Sequence, residues 1–348
     1  MKKDFDAFVS STVADWERVA REELQGANPW EKLTQQGEGF TIRPYYDSTH
    51  KAKSSFSLPS STNEFLGPRA WYNCPLVRVE DPKIGNETAL RHLRQGADGI
   101  FFELSDTVKF DLLLENIQWE FCSLNFLAKK RPESVIEELK DFIIRKKISP
   151  EKAHGSFFGF PSRGPSQTQL FRFGGHIIEP SALPLNTLVS GILSAQQAIQ
   201  GEKKSRAGEV AFSITLGTDF FLEIARLRAF RQLWAKVLEF KGLPPTPLFI
   251  HACSESWNKE AFQPHSNMLK GTTAAMAAIL GGCDVLTVAE EDPDQPMMSR
   301  VARNVSNILR EESHFSNVAD PIAGCYFIED LTNQLADSAW KQLQKEMV

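Results

Sequence analysis

Two histidines are placed for chemistry. His176 lies near the end of the run LFRFGGHII and His251 lies within PLFIHAC, and both runs favour β-structure. An imidazole near neutral pH can take or give a proton, so each is a candidate acid or base. Cys253 follows His251 by two positions. On a strand that spacing puts both side chains on one face, where a thiol and an imidazole could form a nucleophile pair. The plainer reading is a hydrogen-bonded interior histidine beside a small buried thiol. Glu290, Glu291, Asp292 and Asp294 form an acidic run that could hold a divalent cation, but no fixed ligand spacing supports it and a solvated loop is the plainer account. No P-loop, GxSxG, HExxH or DxHxxG occurs.

The elements that must position these groups alternate. Eight β-favouring runs appear: 74–80, 99–104, 117–124, 155–160, 170–178, 209–215, 247–253 and 283–289. Helical stretches lie between them: 86–95 with Asn86 as its cap, 133–146, 184–200, 219–241, 268–280 and 295–313, and 328–346 closes the chain. The stretch PSRGPSQTQ after the fourth run reads as a loop. Parallel β/α units follow from this order. A doubly wound sheet would usually show a Gly-rich phosphate loop after its first strand, and DPKIGNET is not one. Eight repeats over roughly 250 residues predict a (β/α)8 TIM barrel of class α/β. Function then belongs at the C-terminal strand ends, which puts Asp81, Glu103, Asn125, Arg163, Glu179, Thr215, Asp219, Ser254 and Glu255 beside the two histidines and the acidic run as candidates.

Residues 1–70 read as an N-terminal arm: an amphipathic helix with Val13, Trp16, Val19, Ala20 and Leu24 on one face, a short strand within GEGFTIRPYY, and a Ser/Pro-rich link. The barrel with its C-terminal helix takes 71–348. With 42% hydrophobic and 24% charged residues, the chain can bury a large core. A net charge of −5 speaks against a nucleic-acid partner. No apolar run is long enough to span a membrane, and the N-terminus lacks a signal-peptide core. Five scattered cysteines without a CxxC fit a cytoplasmic location and give no metal signature.

Several segments together resemble the methylmalonyl-CoA mutase family. They are TDFFLEIARLRAFRQLWAKV (218–237), HACSESW (251–257), AAMAAILGG (274–282), SRVARNVSNILREES (299–313) and DPIAGCYFIEDLT (320–332). The N-terminal ADWERVAREELQGANPWEKL…EGFTIRPYY resembles that family's small, non-catalytic subunit. The resemblance implies isomerisation of methylmalonyl-CoA and succinyl-CoA through radicals from adenosylcobalamin, as in propionate metabolism. It implies a barrel that holds the thioester along its axis, and a separate domain that carries the cobalamin.

Residue by residue, the chain departs from the catalytic pattern. The family's Gly-Tyr-His reads Gly174-Gly175-His176, so His176 is kept while the tyrosine that wedges against cofactor and substrate is Gly175. The family's Arg-x-Ser aligns with Glu209-x-Ala211, a charge reversal toward an anionic thioester. In His-x-Gln, His251 is kept and the glutamine is Cys253; in Ala-Ala-x-Gln-Gly the glutamine is Leu280. Several lost polar contacts predict a vestigial catalytic His176 and a degenerate substrate site at His251, Cys253, Glu209 and Leu280. The expectation is a catalytically inactive barrel that binds no cofactor by itself and holds no cobalamin domain within its 348 residues. It would form a heterodimer with a large catalytic subunit that carries the adenosylcobalamin, the arm wrapping that partner or folding back on its own barrel. The alternatives are an acyl-CoA-binding barrel active with a separate cobalamin protein, and a homodimeric binding module.

Overall fold

The computed structural model describes residues 11–50, 56–149, 153–159, 173–178, 184–199, 210–255, 265–293 and 295–346, with the backbone alone at 173–176 and 198. The arm holds α1 (Val13–Glu23), α2 (Pro29–Lys32) and an antiparallel pair, β1 (Gln35–Gly37) and β2 (Phe40–Ile42). The remaining strands are β3 (Tyr72–Asn73), β4 (Leu76–Val79), β5 (Gly99–Leu104), β6 (Ser123–Ala128), β7 (Gly155–Phe158), β8 (Phe173–Ile178), β9 (Val210–Leu216), β10 (Phe249–Ser254) and β11 (Val285–Thr287). The helices are α3 (Pro82–Arg94), α4 (Phe110–Leu113), α5 (Pro132–Lys146), α6 (Pro184–Ala198), α7 (Phe220–Phe240), α8 (Ser266–Gly281), α9 (Pro296–Glu311) and α10 (Tyr326–Glu346).

Strands β3 to β11 form one parallel sheet in the order β3-β11-β10-β9-β8-β7-β6-β5-β4. Its two end strands are consecutive in the chain, separated by Cys74 and Pro75. The bonding continues through that gap: Cys74 N donates to Leu286 O on one side, and Phe101 N donates to Pro75 O on the other.

Adjacent phenylalanines point to opposite faces of the sheet. Phe102 and Phe157 join the helix-side core with Phe126 and Leu124, whereas Phe101 and Phe158 join a separate cluster with Cys74, Ala211 and Val285. Each fully buried ring of this kind stabilises the fold by about 2–3 kcal/mol. The long α7 is buried nearly all round, by Ile224, Leu227, Phe230, Leu233, Trp234 and Val237. It also buries arginines, and these are paired: Arg228 meets Asp320 at 3.0 Å and donates to Phe56 O. Leu58 N donates to the same Asp320, so residues 56–58 are fastened to α7.

Two element boundaries differ from the sequence expectation. The helix expected from Asn86 begins at Pro82, because Asp81 already caps it by accepting from the Lys83 and Ile84 amides. Asn86 is instead buried in the helix and donates to the carbonyls of Leu113 and Glu115. The third β-run, expected at 117–124, lies at 123–128. Trp119 belongs to a preceding turn, where its indole donates to His154 O at 2.9 Å.

The single short strand expected in the arm is a hairpin, and it folds back on the chain. Thr41 and Gln334 exchange two hydrogen bonds, and Ser338 donates to Gly39 O. Gly39 has φ +80°, and a Cβ there would lie 3.0 Å from Ser338 Cβ, so the turn and the close approach both demand glycine. Ahead of the hairpin, α1 carries a capping box between Thr12 and Asp15 and rests Trp16 on Trp30 and Tyr45. It buries one residue, Ala20, and leaves Val19 exposed.

Candidate functional site

The sheet interior is built around His251, which is buried on β10 between β9 and β11. Thr287 Oγ1 donates its one proton to Cys74 O at 2.6 Å. Toward His251 it therefore accepts, so Nε2 carries the imidazole proton (2.9 Å). Nδ1 is then the acceptor, and the Ser213 hydroxyl donates to it at 2.8 Å. Phe101 lies flat on the ring with centroids 4.1 Å apart, and Phe158 sits at 6.0 Å. With both nitrogens engaged and both neighbours neutral, burial pushes the His251 pKa down to about 3. The imidazole is uncharged at neutral pH and has no free lone pair for a proton from Cys253. The Cys253 thiol itself meets Ser254 O at 3.3 Å.

A second buried network fills the space beside it. Ser156 donates to Asn125 Oδ1 at 2.7 Å, and Asn125 Nδ2 donates to Ser123 Oγ and faces Cys74 Sγ. Burial raises the Cys74 thiol well above its ordinary pKa, so it is inert as a nucleophile. At the N-terminal strand ends a cavity of about 440 Å³ opens among Tyr72, Ser123, Gly155, Phe249, Arg231 and Asp284.

The other expected site residues scatter. The backbone of His176 pairs with Phe212 across β8 and β9, and Gly175 pairs with Ala211; the His176 side chain lies outside the described residues. Glu209 is outside them altogether. Leu280 sits on α8 in an apolar cluster with Ile224, Ala277 and Ile328. The polar strand ends are spent on structure. Asp219 caps α7, Ser254 Oγ accepts from Ala289 N, and Glu103 pairs with Lys129. The acidic run is likewise engaged: Glu291 accepts from His265 N, and Asp292 accepts from Gln295. Among the described residues, no three His, Cys, Asp or Glu side chains gather as metal ligands, and no helix is long and apolar enough to cross a membrane.

Sequence reasoning missed Ser213 and Thr287, the partners that decide the state of His251. The signal was present: Ser213 lies within the largely apolar run VAFSITL, and Thr287 ends the apolar run VLT. A buried polar residue in such a run must find a partner.

The family model for methylmalonyl-CoA mutase matches residues 187–346. The methylmalonyl-CoA mutase small subunit of Porphyromonas gingivalis is 28% identical over 395 aligned residues, covering 98% of this chain and 63% of that protein. The small subunit of Streptomyces virginiae is 41% identical over 138 residues, 38% of this chain and 22% of that one. The mitochondrial methylmalonyl-CoA mutase of Homo sapiens is 24% identical over 407 residues, covering 95% of this chain and 54% of that protein. The chain thus spans less than two-thirds of the length of these relatives. It is similar to methylmalonyl-CoA mutases along nearly its whole length, and its C-terminal half carries the match to that family's model.

Proposed function

We propose that this chain is the structural, catalytically inactive partner of a large, cobalamin-carrying mutase subunit, and that its parallel sheet closes into a (β/α)8 barrel with a plugged axis. Closure is supported by reading β3 and β4 as one strand interrupted at Cys74–Pro75, since its two halves bond to opposite ends of the sheet order. The inward cluster of Phe101, Phe158, Cys74, Ala211 and Val285 is then the barrel interior.

One observation supports the reading of inactivity: Phe101 lies flat on His251 and Phe158 tilts against it, within the cluster that would line the barrel axis, where the family resemblance would place the thioester. Moving a pantetheine chain through would require displacing rings packed in a core that is dense and holds its rotamers. The described residues also do not fit adenosylcobalamin. His251 spends both nitrogens internally, and Leu280 faces an apolar cluster. The chain's contribution to methylmalonyl-CoA isomerisation is scaffolding for the subunit that performs it. Two relatives named as small subunits support the pairing.

The test is ligand binding by the isolated chain. Methylmalonyl-CoA, succinyl-CoA and free CoA at millimolar concentration are expected to leave its melting temperature unchanged. A saturable upward shift with the thioesters that is absent with CoA would refute the plugged axis and favour an acyl-CoA-binding barrel served by a separate cobalamin protein.

A further inference from the structure

Arg303 on α9 is a buried cation without a counterion. It is 5% exposed, and its guanidinium makes two long bonds to neutral groups, His92 Nδ1 at 3.4 Å and Asn304 Oδ1 at 3.5 Å. Its Nε has no partner. The other buried arginines are compensated: Arg226 meets Glu223, Arg228 meets Asp320 and Arg310 meets Asp98, while Arg69 donates to three carbonyls. Among the described residues no carboxylate pairs with Arg303.

The surroundings add positive charge. His92 on α3 bridges to Ser299 and Arg303, and burial, then Arg303 and Arg91, push its pKa down to about 4, so it is neutral. Arg303 itself is destabilised as a cation, first by burial and then by Arg300 and Arg91. A guanidinium nevertheless stays protonated. Three arginines therefore converge on one seam between α3 and α9, one of them desolvated. Beside the seam a cavity of about 520 Å³ is lined by Arg91, His92 and Ser299; Arg303 lies behind His92, outside that lining, and Arg300 is outside it too. That cavity also has carboxylates, Glu80, Asp81 and Glu290, but Asp81 caps α3 and none of the three pairs with Arg303, Arg91 or Arg300 among the described residues.

We propose that the α3–α9 seam binds an oxyanion of the phosphate type, with Arg303 as its inner ligand and Arg91 and Arg300 as its outer ones. The planar fork of a guanidinium matches two oxygens of such a group, and a charge-assisted pair in a desolvated seam is stronger than one in water. The ligand supplies the negative charge that the fold withholds. Free phosphate and a phosphate monoester share this chemistry.

The experiment compares melting temperatures in sodium phosphate and in glycerol phosphate with those in sodium chloride at matched ionic strength. At about 20 mM either phosphate is expected to raise the melting temperature by about 2 °C over chloride. Arg303→Met should abolish that shift, and should melt higher than the parent in chloride, because it removes an uncompensated buried charge. Arg91→Gln/Arg300→Gln alters two exposed side chains, keeps the assay valid if Arg303→Met does not fold, and should also lose the shift. The proposal is overturned if neither phosphate exceeds chloride in the parent, or if the shift survives in the double variant.

Discussion

Replacing His251 by glutamine removes a titratable group from the interior and leaves a neutral one. The parent histidine is held uncharged, with its pKa pushed from 6.5 to about 3 by burial. Below pH 6.5 the unfolded chain takes up a proton at this position, and the folded chain does not until about pH 3. Protons bound are then greater in the unfolded state, so stability rises with pH across that window and is lost as pH falls through it. In full the gap amounts to about 5 kcal/mol; between pH 7 and pH 5 it amounts to about 2 kcal/mol. The unfolding entropy of 348 residues is about 0.7 kcal/mol/K, so the parent should lose about 3 °C more than His251→Gln over those two pH units. His92 and the shifted carboxylates act equally in both proteins and cancel in the difference. Scanning calorimetry or fluorescence melts at pH 7, 6 and 5 provide the comparison. Equal losses in parent and variant would refute a neutral, sealed-in His251, and with it the plugged interior.

Other perturbations test neighbouring parts. Phe101→Ala removes the ring that covers His251 and should cost about 3–5 kcal/mol, read as a lower urea midpoint at unchanged slope. Asp320→Ala leaves Arg228 buried and unpaired, so it should cost about 3–5 kcal/mol and speed hydrogen exchange at the Leu58 amide, which loses its acceptor. Gly39→Ala must hold a left-handed turn against Ser338 and should cost about 1–2 kcal/mol, seen as a lower melting temperature.

Much of the fold was legible because parallel strands buried on both faces read as continuous apolar runs. GIFFEL and GSFFGF announced themselves this way, and the alternation of their paired phenylalanines between two cores follows from the pleat. Boundaries were harder. Asn86 has the chemistry of a cap, but Asp81 has it too, lies earlier and precedes Pro82, which suits a first helical turn. Trp119 lies among β-favouring neighbours, yet its indole needs an acceptor and finds it in a turn. The site was less legible still. His251 was visible as a polar residue in an apolar run, but whether it is a base or a sealed core group depends on Ser213 and Thr287, which lie 38 and 36 residues away and reach it only through strand order. Arg303 gave no signal at all, since an arginine on an amphipathic helix reads as solvent-facing until its burial is known.

Co-expression with a large methylmalonyl-CoA mutase subunit tests the proposed partnership. Size-exclusion chromatography with light scattering at micromolar concentration should return a single species whose mass is the sum of one copy of each chain. Separate elution of the two chains, or a homo-oligomer of this one that ignores the large subunit, would refute that partnership.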